Sequence, residues 1–232
     1  IRCYSMSSSP ATDEQLRITI KRVGGGVVSG WINDWMKPGL KVEVTPPAGD
    51  FVLPEGELTR DIVAFASGSG ITPIMSIATT ALATSDRRVR LLYANQSRDS
   101  VIFADALAAI EQEYPGRFEV SHHIYDETGY LRQEQVAEFL GSNAEVEVFV
   151  CGSRHFTATV REALAAGPVP HAQAHFENFT SDAALASAEE SDPGAQVDRD
   201  AVAASSLTEK VTFYIRGEEH TVEYERGRTL LE

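Results

Sequence analysis

Asp61–Pro73, DIVAFASGSGITP, constrains the fold of this chain more than any other stretch. Ile62–Ser67 is a short, nearly continuous apolar run, the composition of a strand buried on both faces of a parallel sheet. It runs into Gly68-Ser69-Gly70. The residues from Ile71 to Leu82 then have helical spacing and length, with Pro73 tolerated in the first turn. A glycine turn between strand and helix lets backbone approach a ligand closely. It also aims the first N–H groups of the helix at an anion. G-x-G occurs in many tight turns, so its place between a buried strand and a helix is what points to a nucleotide.

The same pattern recurs downstream. Strands are expected at Ile62–Ser67, Val89–Ala94, Phe118–Tyr125, Val146–Gly152 and Ala172–Phe176. Helices are expected between them at Thr72–Thr84, Val101–Glu113, Arg132–Leu140 and Arg154–Ala165. Strict alternation predicts an α/β domain with a doubly wound parallel sheet and helices on both faces. Ligands of such sheets sit at the carboxyl ends of the strands, here Ser67–Thr72, Ala94–Arg98, Tyr125–Gly129 and Cys151–Ser153.

The flanks read differently. Before residue 58, alternation predicts β-strands at Arg2–Met6, Leu16–Val23 and Lys41–Thr45, with a short helix over Ser29–Met36 ended by Pro38-Gly39. Three strands do not close a barrel, so this is expected to be part of an antiparallel β-barrel with earlier strands missing. Residues 180–208 are rich in Ala, Ser, Asp and Glu, lack apolar periodicity and carry Pro193-Gly194 in the middle, which predicts a flexible acidic linker. Lys210–Ile215 and His220–Tyr224 then alternate around Gly217-Glu218, a β-hairpin that begins a further domain. The chain opens on Ile1 inside a strand-like stretch and stops at Leu231-Glu232, so truncation at both ends is expected.

Composition excludes several classes. The net charge of −14 argues against nucleic acid held on a broad basic face. Part of that charge is local: Thr180–Glu209 holds seven acidic residues against one Arg. No apolar run approaches the ~20 residues that span a bilayer, and no signal peptide is visible. Two cysteines, Cys3 and Cys151, are too few for a disulfide framework or for a metal site of their own, so a cytoplasmic protein is expected.

Several patterns fall in one order along the chain. Arg2-Cys3-Tyr4-Ser5 precedes Gly26-Val27-Val28-Ser29, then Gly68-Ser69-Gly70-Ile71-Thr72-Pro73, Val148-Phe149-Val150-Cys151-Gly152 and Glu177-Asn178-Phe179. Together they resemble the ferredoxin–NADP reductase family, an FAD-binding barrel followed by a nicotinamide-nucleotide domain. The resemblance covers roughly residues 1–179. The terminal hairpin with Gly227–Glu232 is similar to the opening of a plant-type [2Fe–2S] ferredoxin domain, although the cluster cysteines are absent here. Reductase, linker and ferredoxin in that order resemble the reductase components of multicomponent oxygenases such as the phenylacetyl-CoA epoxidase and 3-ketosteroid hydroxylase systems. The implied layout is a partial FAD-binding barrel (1–57), an NAD(P)-binding domain (58–179), a linker (180–208) and the start of a ferredoxin domain (209–232).

The resemblance also implies roles. Arg2 would meet the FAD pyrophosphate, for which a permanently charged, bidentate guanidinium is suited. Tyr4 would stack on the isoalloxazine, Ser5 would lie by flavin N5, and Ile20 and Lys21 would pass the adenosine. Gly26, Val27, Val28 and Ser29 would offer N–H groups and a hydroxyl to the second phosphate face. Gly68, Gly70, Thr72, Gly152 and Phe179 would line the coenzyme site. Cys151 and Glu177 would flank the nicotinamide C4 and flavin N5, between which hydride passes. Ser97 and Arg98 resemble the pair that holds the 2′-phosphate of NADPH, which makes NADPH the expected coenzyme over NADH.

Each residue also has a plainer reading. Tyr4 is consistent with a half-buried strand aromatic, Arg98 with a solvated loop charge, and Cys151 with an inert core thiol. His122 and His123 point to opposite faces of a strand, and His171 and His175 lie ~13 Å apart if extended, so all four are expected to be structural. The expected function is NAD(P)H-dependent flavin oxidoreduction, with electrons passing from FAD to a [2Fe–2S] centre and on to an oxygenase. The piece alone is expected to be inactive. The alternatives are a reductase for a haem or other acceptor, and a non-catalytic docking module on a nucleotide-binding scaffold.

Overall fold

The computed structural model describes residues 2–42, 44, 48–54, 59–179, 208–215 and 218–225. The chain divides into two units, Ile1–Lys21 with Gly49–Ser181 and Arg22–Ala48 with Asp182–Glu232.

The first unit holds the sheet. The apolar run forms β1 (Asp61–Ser67), buried from Ile62 onward. A single 3₁₀ turn, Gly68–Gly70, leads into α2 (Ile71–Thr84). Then follow β2 (Val89–Asn95), α3 (Ala104–Glu113), β3 (Phe118–Ile124), a one-turn α4 (Tyr125–Thr128), α5 (Gln133–Leu140), β4 (Val146–Gly152), α6 (Arg154–Ala165) and β5 (Ala174–Asn178). All pairings are parallel and the strand order is β3-β2-β1-β4-β5. The chain starts in the middle, winds outward to β3, and returns to the other side at β4. The switch point therefore lies between the carboxyl ends of β1 and β4, where an open α/β sheet forms its ligand crevice.

Alternation along the strands sorts the core into two layers. Ile62, Ala64 and Ala66 of β1, with Leu91, Tyr93, Phe149 and Cys151, pack under the apolar face of α2. Val63 and Phe65, with Val148 and Val150, pack against Val136 and Leu140 of α5 and Phe156, Val160 and Leu164 of α6. Both faces of the central strands are thus covered, which is why β1 is apolar without a break from Ile62 to Ala66. Among the described residues no helix is long and apolar enough to cross a membrane.

Several boundaries differ from the sequence reading. The third helix begins at Ala104 and not at Val101, because Phe103 takes a left-handed conformation (φ 62°) and residues 98–100 are spent on a 3₁₀ turn. The fifth strand starts at Ala174, after a 3₁₀ turn at His171–Gln173. The expected strands at Arg2–Met6 and Leu16–Val23 shrink to one antiparallel bridge, Met6 to Ile18. Serine hydroxyls hold this segment in their place. Ser7 Oγ meets Thr19 Oγ1 at 2.9 Å, and the Arg17 N–H donates to Ser8 Oγ at 2.9 Å. Of Lys41–Thr45, residues 41, 42 and 44 are described and form no strand.

In the second unit, α1 (Val27–Trp35) follows the Gly24–Gly26 turn. Among its described residues, β6 (Thr208–Ile215) and β7 (Glu218–Glu225) pair antiparallel from Thr208–Glu225 to Ile215–Glu218, the hairpin expected from the alternation. The linker reading of residues 180–208 falls almost wholly outside the described residues, and the Gly227–Glu232 stretch lies outside them too.

Candidate functional site

β1 and β4 approach each other more closely at their carboxyl ends than side chains permit. A Cβ on Gly70 would sit 2.2 Å from the Cys151 carbonyl oxygen and 2.8 Å from Gly152 Cα. One on Gly152 would sit 2.3 Å from Ser67 Oγ, and that hydroxyl accepts the Ser153 N–H at 3.1 Å. Gly70 and Gly152 thus let the two strand ends touch, a packing role the sequence reading did not give them. Gly68 is different. It has φ +52°, and Lys21 Nζ lies 3.4 Å from where its Cβ would be. The amino end of α2 that follows carries no acidic residue in its first turn. A cation beside a glycine turn and a 14-residue helix is a donor set that fits a diphosphate. Thr72 is buried, and its hydroxyl donates back to the Ser69 carbonyl at 3.1 Å, so it shapes this turn.

The next strand of the sheet brings three candidate residues together. Cys151 of β4 is in register with Glu177 of β5, and both project on the face that carries α2. Glu177 Oε2 accepts from Ser5 Oγ at 3.0 Å and from Cys151 Sγ at 3.8 Å. One carboxylate oxygen thus joins a residue from the start of the segment to two strands of the sheet. Burial, reinforced by the nearby carboxylate of Glu177, pushes the Cys151 thiol far above its ordinary range, so it stays a neutral donor. Glu177 also borders an open cleft of about 390 Å³ with Asp50, Phe51, His175 and Phe176. Phe179 closes this corner, its N–H donating to the Gly152 carbonyl at 3.2 Å.

Ser5 is carried there by a run of buried serines that sequence reasoning passed over. Ser9 Oγ meets Thr80 Oγ1 at 2.8 Å, and Ser76 Oγ donates to the Ser8 carbonyl at 2.7 Å. Ser7, Ser8 and Ser9 are nearly inaccessible to solvent. The S-x-S-S-S run that faces Ser76 and Thr80 of α2 fits a loop equally well, so the sequence alone does not mark it. Of the remaining residues of this segment, Arg2 is exposed, Tyr4 and Ile20 are half-buried, and Lys21 is exposed.

Ser97 and Arg98 lie at the carboxyl end of β2, as expected. Arg98 is occupied: Nε and Nη2 donate to Glu127 Oε1 and Oε2 at 2.7 and 2.8 Å. Beneath them Tyr93 donates to the Gly68 carbonyl at 2.8 Å, and burial raises its phenol to about 12. Gly26, Val27, Val28 and Ser29 belong to the second unit. There Gly26 precedes α1, and the Ser29 hydroxyl accepts the Val23 N–H at 3.2 Å and donates to the Gly26 carbonyl at 3.4 Å. Two of the four histidines expected to be structural, His123 and His175, are hydrogen-bonded into the fold. His123 meets the Gly129 carbonyl at 2.9 Å. His175 meets buried Glu147 at 2.9 Å and stacks on Phe149, and Arg60 donates to the same carboxylate at 2.8 Å.

Comparisons with known proteins agree with the fold of this sheet. The family model described as the oxidoreductase NAD-binding domain matches residues 65–162. The chain is 39% identical over 235 residues to the ferredoxin reductase component of 3-ketosteroid-9-alpha-monooxygenase from Mycobacterium tuberculosis, an alignment covering all of this chain and 62% of that protein. It is 29% identical to a component of the 1,2-phenylacetyl-CoA epoxidase of Escherichia coli, over 95% of this chain and 62% of that one. Among solved structures, the flavohem-like FAD/NAD-binding domain of nitric oxide dioxygenase from Vibrio cholerae superposes with a TM-score of 0.63 at 28% identity, covering 77% of this chain and 76% of that domain. The chain spans about three fifths of the length of these two curated relatives.

Proposed function

We propose, on the premise that residues 65–162 are an oxidoreductase NAD-binding domain of the ferredoxin–NADP reductase type, that the protein is the NAD(P)H-dependent flavin reductase of an oxygenase system. Its electrons would pass through FAD to a [2Fe–2S] centre and on to the oxygenase. The observation that carries this reading is Ser5 Oγ at 3.0 Å and Cys151 Sγ at 3.8 Å on one oxygen of Glu177, beside the switch point of the sheet. Nicotinamide and flavin, when bound, supply hydride and single-electron chemistry. The residues of the chain bind, orient and hold protons. Lys21 and the amino end of α2 take the diphosphate, and Arg98 with Ser97 takes the ribose end and favours NADPH. Arg2, Tyr4, Ile20 and Gly26–Ser29 serve the flavin. Glu177 accepts the Ser5 and Cys151 hydrogens, which would hold both side chains beside the nicotinamide and flavin when these are bound.

The layout we propose with it is a partial FAD-binding barrel over 1–57, the NAD(P) domain over 58–179, a linker over 180–208 and a ferredoxin domain opening at 209 with the hairpin. The oxygenase reading is preferred over a haem acceptor because the two relatives that match 95–100% of the chain are an oxygenase reductase and an epoxidase component, whereas the flavohem-like domain matches 77%. The test is stopped-flow reduction of the full-length, flavin-loaded protein. Ser5→Ala is expected to slow flavin reduction by ~10-fold or more while the bound flavin is retained. An unchanged reduction rate would remove Ser5 from the reacting centre.

A further inference from the structure

We infer that Glu127 sets how strongly this protein prefers NADPH, by competing with the coenzyme's 2′-phosphate for the Arg98 guanidinium. The inference rests on reading Ser97 and Arg98 as the ribose end of the coenzyme site.

β2 and β3 are neighbours whose last residues, Asn95 and Ile124, lie in register. Each strand leaves into a pinned turn. After β2, Ser100 Oγ accepts the Ser97 N–H at 3.1 Å and donates to the Ser97 carbonyl at 2.7 Å. After β3, α4 is tied across by the Asp126 N–H to the Gln96 carbonyl at 3.0 Å and closed by the Gly129 N–H to the Tyr125 carbonyl at 2.8 Å. Two fixed backbones thus present Arg98 and Glu127 to each other, and their side chains meet fork on fork at 2.7 and 2.8 Å. That is the geometry in which a guanidinium receives a phosphate. Glu127, through hydrogen bond and charge, raises the basicity of Arg98 further.

A coenzyme ending in a 2′-hydroxyl asks nothing of Arg98 and can donate to a carboxylate. A 2′-phosphate must take the guanidinium from Glu127 and then sit beside the displaced carboxylate, with Asp99 and Asp126 next in sequence. Discrimination is here built partly from repulsion, as specificity often is. The pair lies in water, with the side chains 71% and 47% exposed, so a ligand can open it. Glu127 weakens the preference for NADPH and does not abolish it.

The test is calorimetric titration of the chain with 2′-phospho-AMP and with AMP. Glu127→Gln is expected to raise 2′-phospho-AMP affinity ~3–10-fold, the scale of one charge removed from a solvated phosphate, with AMP moved by less than about twofold. Arg98→Ala is expected to erase the preference for 2′-phospho-AMP. In the Arg98→Ala background, Glu127→Gln should gain less than about threefold, and nothing in high salt. An unmoved affinity ratio in Glu127→Gln, with both nucleotides still binding, overturns the inference alone. Failure of either nucleotide to bind any of the proteins overturns the coenzyme-site reading and the inference with it.

Discussion

The two walls of the Ser5–Cys151–Glu177 site are held by different physics. Cys151 and Glu177 ride on adjacent parallel strands whose neighbours are apolar on both faces, so backbone ladder and core place them together. Ser5 rides on a segment with a single backbone bridge, docked onto α2 by hydroxyls. One wall is positioned by burial of hydrocarbon, which is strong and non-directional. The other is positioned by directional bonds, each worth ~1 kcal/mol net but expensive to leave half made. A site built from both has a rigid side and a side whose placement rests on a few oxygen atoms.

The largest test of that contrast is Gly70→Ala. The added methyl would meet Cys151 backbone at 2.2 Å, with no flexible side chain to give way. We expect a loss of about 3 kcal/mol, read from the denaturant midpoint. Gly116→Ala is the control: its φ is +73° and open space surrounds it, so only the left-handed backbone is penalised, by ~1 kcal/mol. Equal losses in the two variants would mean that β1 and β4 do not touch as tightly as described.

The hydroxyl wall should yield less. Thr80→Val keeps the shape of the side chain and takes the acceptor from the Ser9 hydroxyl hydrogen in a place almost closed to water, while Ser9 Oγ still accepts the Ala11 N–H at 3.2 Å. A loss of ~1.5 kcal/mol is expected, with AMP affinity at the sheet unchanged. Ser9→Ala in that background should cost little more, because the hydroxyl without an acceptor is then gone and the Ala11 N–H it accepted belongs to an exposed residue that water can serve. A fall in AMP affinity would show that the two walls are one cooperative body.

The same contrast explains what the sequence disclosed. Strongly apolar stretches, broken only by Arg90 in β2 and Glu147 in β4, mark β1, β2 and β4 to within a residue, because burial on both faces leaves a composition loops rarely share. Motif resemblance singled out Glu177, Cys151 and Ser5; the backbone register accounts for the Cys151–Glu177 pair, and hydroxyl contacts bring Ser5 to it. The serine strap was not legible, since hydroxyl contacts carry no periodicity and S-x-S-S-S reads equally as a loop. The alternation of Leu16, Ile18 and Ile20 predicted a strand that the described residues reduce to one bridge, with Leu16 and Ile18 exposed. Glu127 was invisible for another reason. It sits 29 residues from Arg98 and becomes its partner only because β2 and β3 are adjacent.

The smallest expected effect separates the two cysteines, and through them the sheet wall from the segment that carries Ser5. Cys3 is exposed and Cys151 is fully buried with a strongly raised pKa. Iodoacetamide at pH 8 should therefore label Cys3 in the native protein and reach Cys151 only after denaturation. The same shift acts on stability. In the unfolded chain the Cys151 thiol titrates at its ordinary value of 9.0, whereas in the folded protein it keeps its proton well above that. Above pH 9 the folded state thus binds more protons than the unfolded one, so stability falls as pH rises. At pH 9.5 the term is about 0.8 kcal/mol, fully absent below pH 8 and growing by ~1.4 kcal/mol per further unit. Cys151→Ser removes the titrating thiol and leaves a donor for Glu177. Its stability should run parallel to wild type up to pH 8 and decline less steeply above pH 9. Curves that stay parallel to pH 10, or native-state labelling of Cys151, would show that the β4 wall opens to water as readily as the serine-held segment does.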